Sequence, residues 1–184
     1  MKFIATNLPG VWLVELNRVC DARGFFARVY CQNEFKKHGL DFTVVQTSLS
    51  FNKKRGTLRG LHFQKQPYAE QKIVCCVKGR IFDVAVDIRS GTSTQWQWYG
   101  VELENGQMLY LPEGFAHGYQ TLTDDTLILY HHSQFYHPEA ADGLRWDDPF
   151  LKISWPLCPT VISVQDRYRP LLEERTDLLW KKSW

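Results

Sequence analysis

Hydrophobic and polar side chains alternate most clearly along Arg80–Ile88. Phe82, Val84, Val86 and Ile88 share one face there, and Ile81, Asp83, Ala85 and Asp87 share the other, which reads as the polar side. A period of two marks a strand, because successive side chains of an extended chain point to opposite faces. Short runs rich in aromatic and β-branched residues predict further strands at Trp12–Asn17, Phe25–Tyr30, Thr43–Ser50, Thr57–Phe63, Gln71–Val77, Trp96–Leu103, Gln107–Leu111 and Thr126–Gln134. Lys78-Gly79 and Asn105-Gly106 are expected to close tight hairpins, glycine supplying the positive φ. Helix is scarce. Asn33–His38 predicts a short one, capped by Asn33 and ended by Gly39, and Leu171–Trp180 predicts a C-terminal one. Many short strands between turn signals point to an all-β sandwich or barrel, for which a double-sheet jelly roll is the natural candidate.

Length and charge narrow the picture. The 184 residues suit one domain, 1–184, with a tail from about residue 170. With 22 Lys+Arg against 20 Asp+Glu and no long run of one sign, nothing in the bulk charge calls for nucleic acid or a membrane surface as partner. The first residues lack the unbroken apolar core of a signal peptide, and no stretch approaches the ~18 apolar residues of a membrane span. The 5 cysteines are odd in number and contain no CxxC, which excludes a disulfide framework or zinc site by pattern. They read as reduced thiols of a cytoplasmic protein. Cys75 and Cys76, adjacent in a strand, are expected to face opposite ways.

The candidate chemistry starts with the histidines. His38 and His137 sit in surface-like contexts. His62 lies in the strand TLRGLHFQ and His117 in LPEGFAHGY. Either one alone is more often a satisfied structural residue than a catalyst. A metal-binding cupin reading needs an HxH pair, a downstream Glu and a PxGxxH motif. Pro112, Gly114 and His117 match the last, but Gln64 stands where the second imidazole belongs, with Glu70 as a stand-in carboxylate. Two imidazoles and one carboxylate suffice for a non-haem iron site, so this alternative stays open. P-loop, GxGxxG and GxSxG motifs are absent.

Several motifs occur in one order: DARGFF at 21–26, LRGLHFQ at 58–64, QKIV at 71–74, FDVAVDIR at 82–89, LPEGFAHGY at 111–119, LILY at 127–130 and ISVQD at 162–166. Together they resemble the dTDP-4-dehydrorhamnose 3,5-epimerase family over roughly residues 3–170. The resemblance implies a cupin-like jelly roll that works without metal or other cofactor, as a homodimer, on a nucleoside-diphosphate 4-keto-6-deoxy sugar. A 4-ketone acidifies the hydrogens on carbons 3 and 5, so inversion there needs a base, an acid on the opposite face and a charge near the enolate oxygen. By resemblance His62 is the base, Asp166 its carboxylate partner, Tyr130 the opposite acid and Lys72 the cation near the keto oxygen. Substrate-binding positions are Arg23, Phe26, Arg28, Gln46, Ser48, Arg59, His117 and Tyr136, with Arg23 and Arg59 for the diphosphate and Asp83 placed to orient His117. Arg23 is implied to act across the subunit interface. Arg59 and His62 have opposite parity in a straight strand, so a bulge or twist at Gly60 is expected. Arg28 stands where the family commonly has Glu, and Ser48 where it commonly has Asn, so the nucleobase stays open. A 3- or 5-epimerase acting on one carbon, a metal-dependent cupin and a non-catalytic binding module are the alternatives.

Overall fold

A computed structural model describes residues 1–179. Fourteen short strands and a few short helices, joined by turns and loops, are found among the described residues. One sheet runs β1-β2-β10-β7-β12-β5, from Lys2–Ala5, Trp12–Glu15, Met108–Leu111, Lys72–Lys78, Thr126–His132 and Gln46–Asn52. The second runs β13-β6-β11-β8-β9, from Ala141–Gly143, Thr57–Gln64, Phe115–Thr121, Arg80–Asp87 and Trp98–Glu104, with β14 (Val161–Ile162) parallel to the start of β6. Apart from β14 the pairs are antiparallel. From β5 to β12 the chain changes sheet at nearly every step, which makes a cupin-like jelly roll of the predicted all-β class. A separate two-stranded ribbon, β3 (Arg18–Asp21) and β4 (Gly24–Ala27), belongs to neither sheet.

The hydrophobic side chains form three layers rather than one. Val74, Cys76, Leu109, Ile128, Ile81, Ala85 and Leu103 fill the space between the sheets. The outer face of the first sheet is covered by Phe35 of helix α1 (Gln32–Lys37) and by Leu40 and Phe42. The outer face of the second is covered by Leu144, Leu151 and Leu172. Central strands are therefore apolar on both sides, which is why KIVCCVK shows no alternation. Cys75 and Cys76 do face opposite layers, and burial pushes their thiols up to about 11 and about 12. The face of β8 carrying Asp83 is not a polar outside: Ile81 and Ala85 on it point into the central layer, and Asp83 is fully buried.

Three local expectations need correction. Lys78-Gly79 and Asn105-Gly106 have the expected positive φ at Gly79, Asn105 and Gly106, but neither closes a hairpin. β7 and β9 belong to different sheets from β8 and β10 respectively, so these turns are corners between sheets. Helix α1 starts at Gln32 with Cys31 as an N-cap that makes no side-chain bond, so Asn33 lies inside it. Burial of Phe35 and the bond from the Met1 amino group to Glu34 (2.7 Å) fix its position instead. The expected C-terminal helix is a 3-10 turn, Leu172–Glu174, and a single turn, α3 (Thr176–Leu179), with Trp180 outside the described residues. Arg175 between them is drawn to Asp142 (2.7 Å) and the Gly143 carbonyl (3.1 Å). Among the described residues no helix is long and apolar enough to cross a membrane.

Candidate active site

Each central strand changes character along its inward face. On β12 Ile128 gives way to Tyr130 and His132; on β7 Cys76 and Val74 give way to Lys72; on β11 Phe115 is followed by His117 and Tyr119. These ends meet where the sheets part, around a cleft of about 360 Å³. Its walls include His62, Arg59, Lys72, His117, Tyr130, Gln46, Ser48 and Tyr136. His62 and Tyr130 come from opposite sheets and so from opposite walls.

The bulge expected in β6 is present. Pairing with β11 sets His62 opposite His117 and Arg59 opposite Tyr119, so two residues of β6 span the place of Gly118. The extra residue brings Arg59 and His62 onto one face. Gly60 has φ +120°, and a Cβ on it would lie 2.5 Å from the Gly118 Cα and 2.7 Å from the His117 carbonyl. Only glycine fits there.

His62 Nε2 lies 2.7 Å from Asp166 Oδ1, and Asp166 Oδ2 accepts from the Gly60 N–H at 3.3 Å. Asp166 sits in the single-turn helix α2 (Val164–Arg167), whose cap Ser163 accepts from the Asp166 N–H at 3.0 Å. Burial alone would raise this carboxyl; the His62 hydrogen bond and charge, with the Gly60 N–H, outweigh it and hold the group below the usual carboxylate value. Tyr130 is held well above the usual phenol value by burial and by neighbouring Tyr119 and Asp83, so it keeps its proton at neutral pH. Its ring is edge-on to His117 (6.0 Å, 78°) and parallel to His132 (5.8 Å, 12°). His117 Nε2 lies 2.7 Å from Asp83 Oδ1, and burial pushes the Asp83 carboxyl up against the opposing pull of His117.

Lys72 is buried, with Nζ 2.8 Å from Glu70 Oε1 and donating to the His62 carbonyl at 3.4 Å. Arg59 donates to Asn52 (2.8 Å), which also accepts from Tyr119. Gln46 accepts from the Tyr136 N–H at 3.2 Å, tying the loop after β12 to β5. Arg23, Phe26 and Arg28 are not brought to this cleft. Arg23 lies at the tip of the β3–β4 ribbon, paired among the described residues with Asp21, and Phe26 is 76% exposed. Arg28 pairs with Glu34 of α1 at 2.9 Å. Glu70 faces Lys72 and His132, not His62 and His117, and among the described residues no group of three His, Cys, Asp or Glu side chains converges as a metal site would require. His132, Tyr119, Asn52 and the Glu70–Lys72 pair escaped the sequence reading. For His132 the signal was present, since it lies two residues past Tyr130 and so on the same strand face.

A cupin-like barrel holding a carboxylate-bound imidazole on one wall and a protonated tyrosine on the other has the proton acceptor and donor that an isomerase needs to move protons to and from carbon. The comparisons narrow this class. Residues 5–174 match the dTDP-4-dehydrorhamnose 3,5-epimerase family, and the chain belongs to it. The dTDP-4-dehydrorhamnose 3,5-epimerase of Sinorhizobium fredii is 42% identical over 177 residues, 95% of this chain and 91% of that protein. The fold is similar to that of a dTDP-6-deoxy-D-glucose-3,5-epimerase from Legionella pneumophila in complex with dTDP-4-keto-L-rhamnose, with a TM-score of 0.89 and 35% identity over 94% of this chain and 93% of that one. It is also similar to a 3′-monoepimerase from Streptomyces bikiniensis in complex with dTDP-quinovose, with a TM-score of 0.87 and 30% identity over 94% of this chain and 89% of that one.

Proposed function

We propose that the chain inverts carbons 3 and 5 of a nucleoside-diphosphate 4-keto-6-deoxy sugar, with dTDP-4-keto-6-deoxyglucose as substrate and dTDP-4-keto-rhamnose as product. The observation that carries the reading is the 2.7 Å His62–Asp166 pair on the wall opposite Tyr130. His62 removes the proton beside the ketone, and Asp166 orients the ring and stabilises the imidazolium that forms. Electron density moves to the keto oxygen, where Lys72 supports the enolate. Tyr130 returns a proton from the other side, which inverts the carbon. Proton exchange with solvent returns His62 to its free base and Tyr130 to its phenol, and repeating the cycle at the second carbon completes the reaction.

Arg59, with its guanidinium steadied by Asn52, is suited to the diphosphate. Gln46, Ser48, His117 and Tyr136 shape the rest of the cleft. Arg23, Phe26 and Arg28 reach a cleft only in a homodimer in which the β3–β4 ribbon crosses to the neighbouring subunit. The exposure of Val19, Phe25 and Phe26 on that ribbon (71%, 58% and 76%) supports this assembly. So does the free edge of β5, whose outward Leu49 and Phe51 are 66% and 51% exposed.

Proton NMR of dTDP-4-keto-6-deoxyglucose in D₂O tests the reading. Wild type should place deuterium at carbons 3 and 5, and His62→Ala should place none. The likeness to a 3′-monoepimerase favours a second reading, in which deuterium enters one carbon only. No exchange by folded protein, with this or other nucleotide sugars, would sink both.

A further inference from the structure

The cation assigned to the enolate oxygen is not a free charge. Lys72 Nζ lies 2.8 Å from Glu70 Oε1, and both side chains are 9% exposed. The other oxygen, Glu70 Oε2, accepts from the Gln64 amide at 3.3 Å and lies 3.3 Å from His132 Nδ1. That imidazole nitrogen is buried and makes no hydrogen bond of its own. The His132 ring lines the cleft in parallel with Tyr130. We infer that Glu70 and His132 are positioning residues that set the net charge Lys72 presents to the enolate oxygen, His132 acting as the switch. The inference rests on the role proposed for Lys72.

The charge arithmetic is simple. With His132 neutral, the Glu70 carboxylate and the Lys72 ammonium cancel, and the wall beside the keto oxygen carries no net charge. With His132 protonated, the imidazolium shares the carboxylate and the cluster carries one positive charge. An enolate forming beside it is then stabilised in a site where burial weakens screening. Burial would push the Glu70 carboxyl up, but contact with His132 and the charge of Lys72 more than offset that and hold it below the usual value. The other charged or titratable groups around the cleft are His62 and Arg59 on β6, His117 (paired with Asp83) and Tyr119 on β11, Tyr130 on β12, and Tyr136, Asp142 and Arg169, while His131 stands next to His132 on β12. Of these, His62 acts on the acid side of the rate profile, since it must be unprotonated to serve as base. His132 acts on the alkaline side, since it must be protonated to free Lys72.

The test is kcat for solvent-deuterium uptake at carbon 5, measured from about pH 5.5 to about pH 9, the span over which imidazoles change charge. Wild type should fall on the alkaline side. Glu70→Gln should lose that fall, because Lys72 is no longer neutralised, and should exceed wild type near the alkaline end on the order of tenfold. His132→Asn should run at the low alkaline level throughout and keep only the acid limb. If both variants keep the wild-type profile shape, at whatever absolute rate, Glu70 and His132 are merely structural and the inference is overturned. If Glu70→Gln does not fold, the shape of the His132→Asn profile decides alone. Wild type silent at every pH sinks the functional reading, and the inference with it.

Discussion

Asp166 is the residue on which the proposed chemistry is most sensitive, because it does three things in one place. It orients His62, binds the Gly60 N–H inside the bulge, and supplies a charge that burial would otherwise disfavour. Asp166→Asn keeps the size of the side chain but removes the charge that stabilises an imidazolium. It should lower kcat by about 10²–10⁴-fold, the range lost with a positioned acid–base group, with a smaller change in KM. Steady-state epimerisation read by NMR checks this; a change confined to KM would reassign the pair to binding. The same carboxyl makes a pH prediction. Its folded-state pKa lies below the unfolded one, so its stabilisation is complete above about pH 4 and is lost as pH falls through the lower folded value. The melting-temperature gap between wild type and Asp166→Asn should therefore be widest near neutrality and narrow toward about pH 3. At this scale the sequence was legible in part. His62 stood out by its strand context, but Asp166 lies 104 positions away, and local pattern cannot pair residues at that separation. Glu70 was legible as chemistry only as the carboxylate of the metal alternative, because only the fold shows that it faces Lys72.

Strands were readable where one face differs from the other, and their connections were not. Gly79 and Gly106 announced turns, but a turn residue reports local φ, not which strands lie beside each other. In a jelly roll the corner between sheets uses the same dipeptides as a hairpin. The bulge in β6 is the opposite case, an irregularity that parity demanded once the family resemblance placed Arg59 and His62 in one pocket. Two candidate side chains three residues apart share a face only if one extra residue lies between them, and Gly60 marks the place. Gly60→Ala tests how far the site depends on this one backbone feature. The added methyl meets backbone atoms of Gly118 and His117, which have no room to retreat, at a φ that L-residues avoid. We expect a loss of about 2–4 kcal/mol in urea unfolding, in the range of strained backbone combined with a core clash. Folded Gly60→Ala should also lose activity, since relief of the clash slips His62 and Arg59 out of phase. Full activity with unchanged stability would mean that β6 tolerates a different register.

The three apolar layers account for the whole barrel, but not for the ribbon that leaves it. Among the described residues β3 and β4 pair only with each other, and Val19, Phe25 and Phe26 stay in water. An isolated two-stranded ribbon is marginal by itself, so a second surface is needed to hold it. The cleft presents the complementary incompleteness: of the two guanidiniums lining it, Arg169 is held by Asp142 (3.5 Å) and Asp166 (3.7 Å), which leaves Arg59 where a diphosphate has charge for two. A two-fold dimer in which each ribbon reaches the other subunit's cleft resolves both at once, because a single isologous contact repeats itself. This makes a prediction that no single-chain arrangement shares. Arg23→Ala and His62→Ala should each be poorly active alone. Mixed, unfolded together and refolded, half the dimers are heterodimers, and each has one cleft that combines an intact His62 with an intact Arg23 from its neighbour. The mixture should recover about a quarter of wild-type activity if the arms cross, since one cleft in two is whole in half of the dimers. If Arg23 serves the cleft of its own chain, every cleft in the mixture carries one defect or the other, and the mixture stays at the average of the two variants.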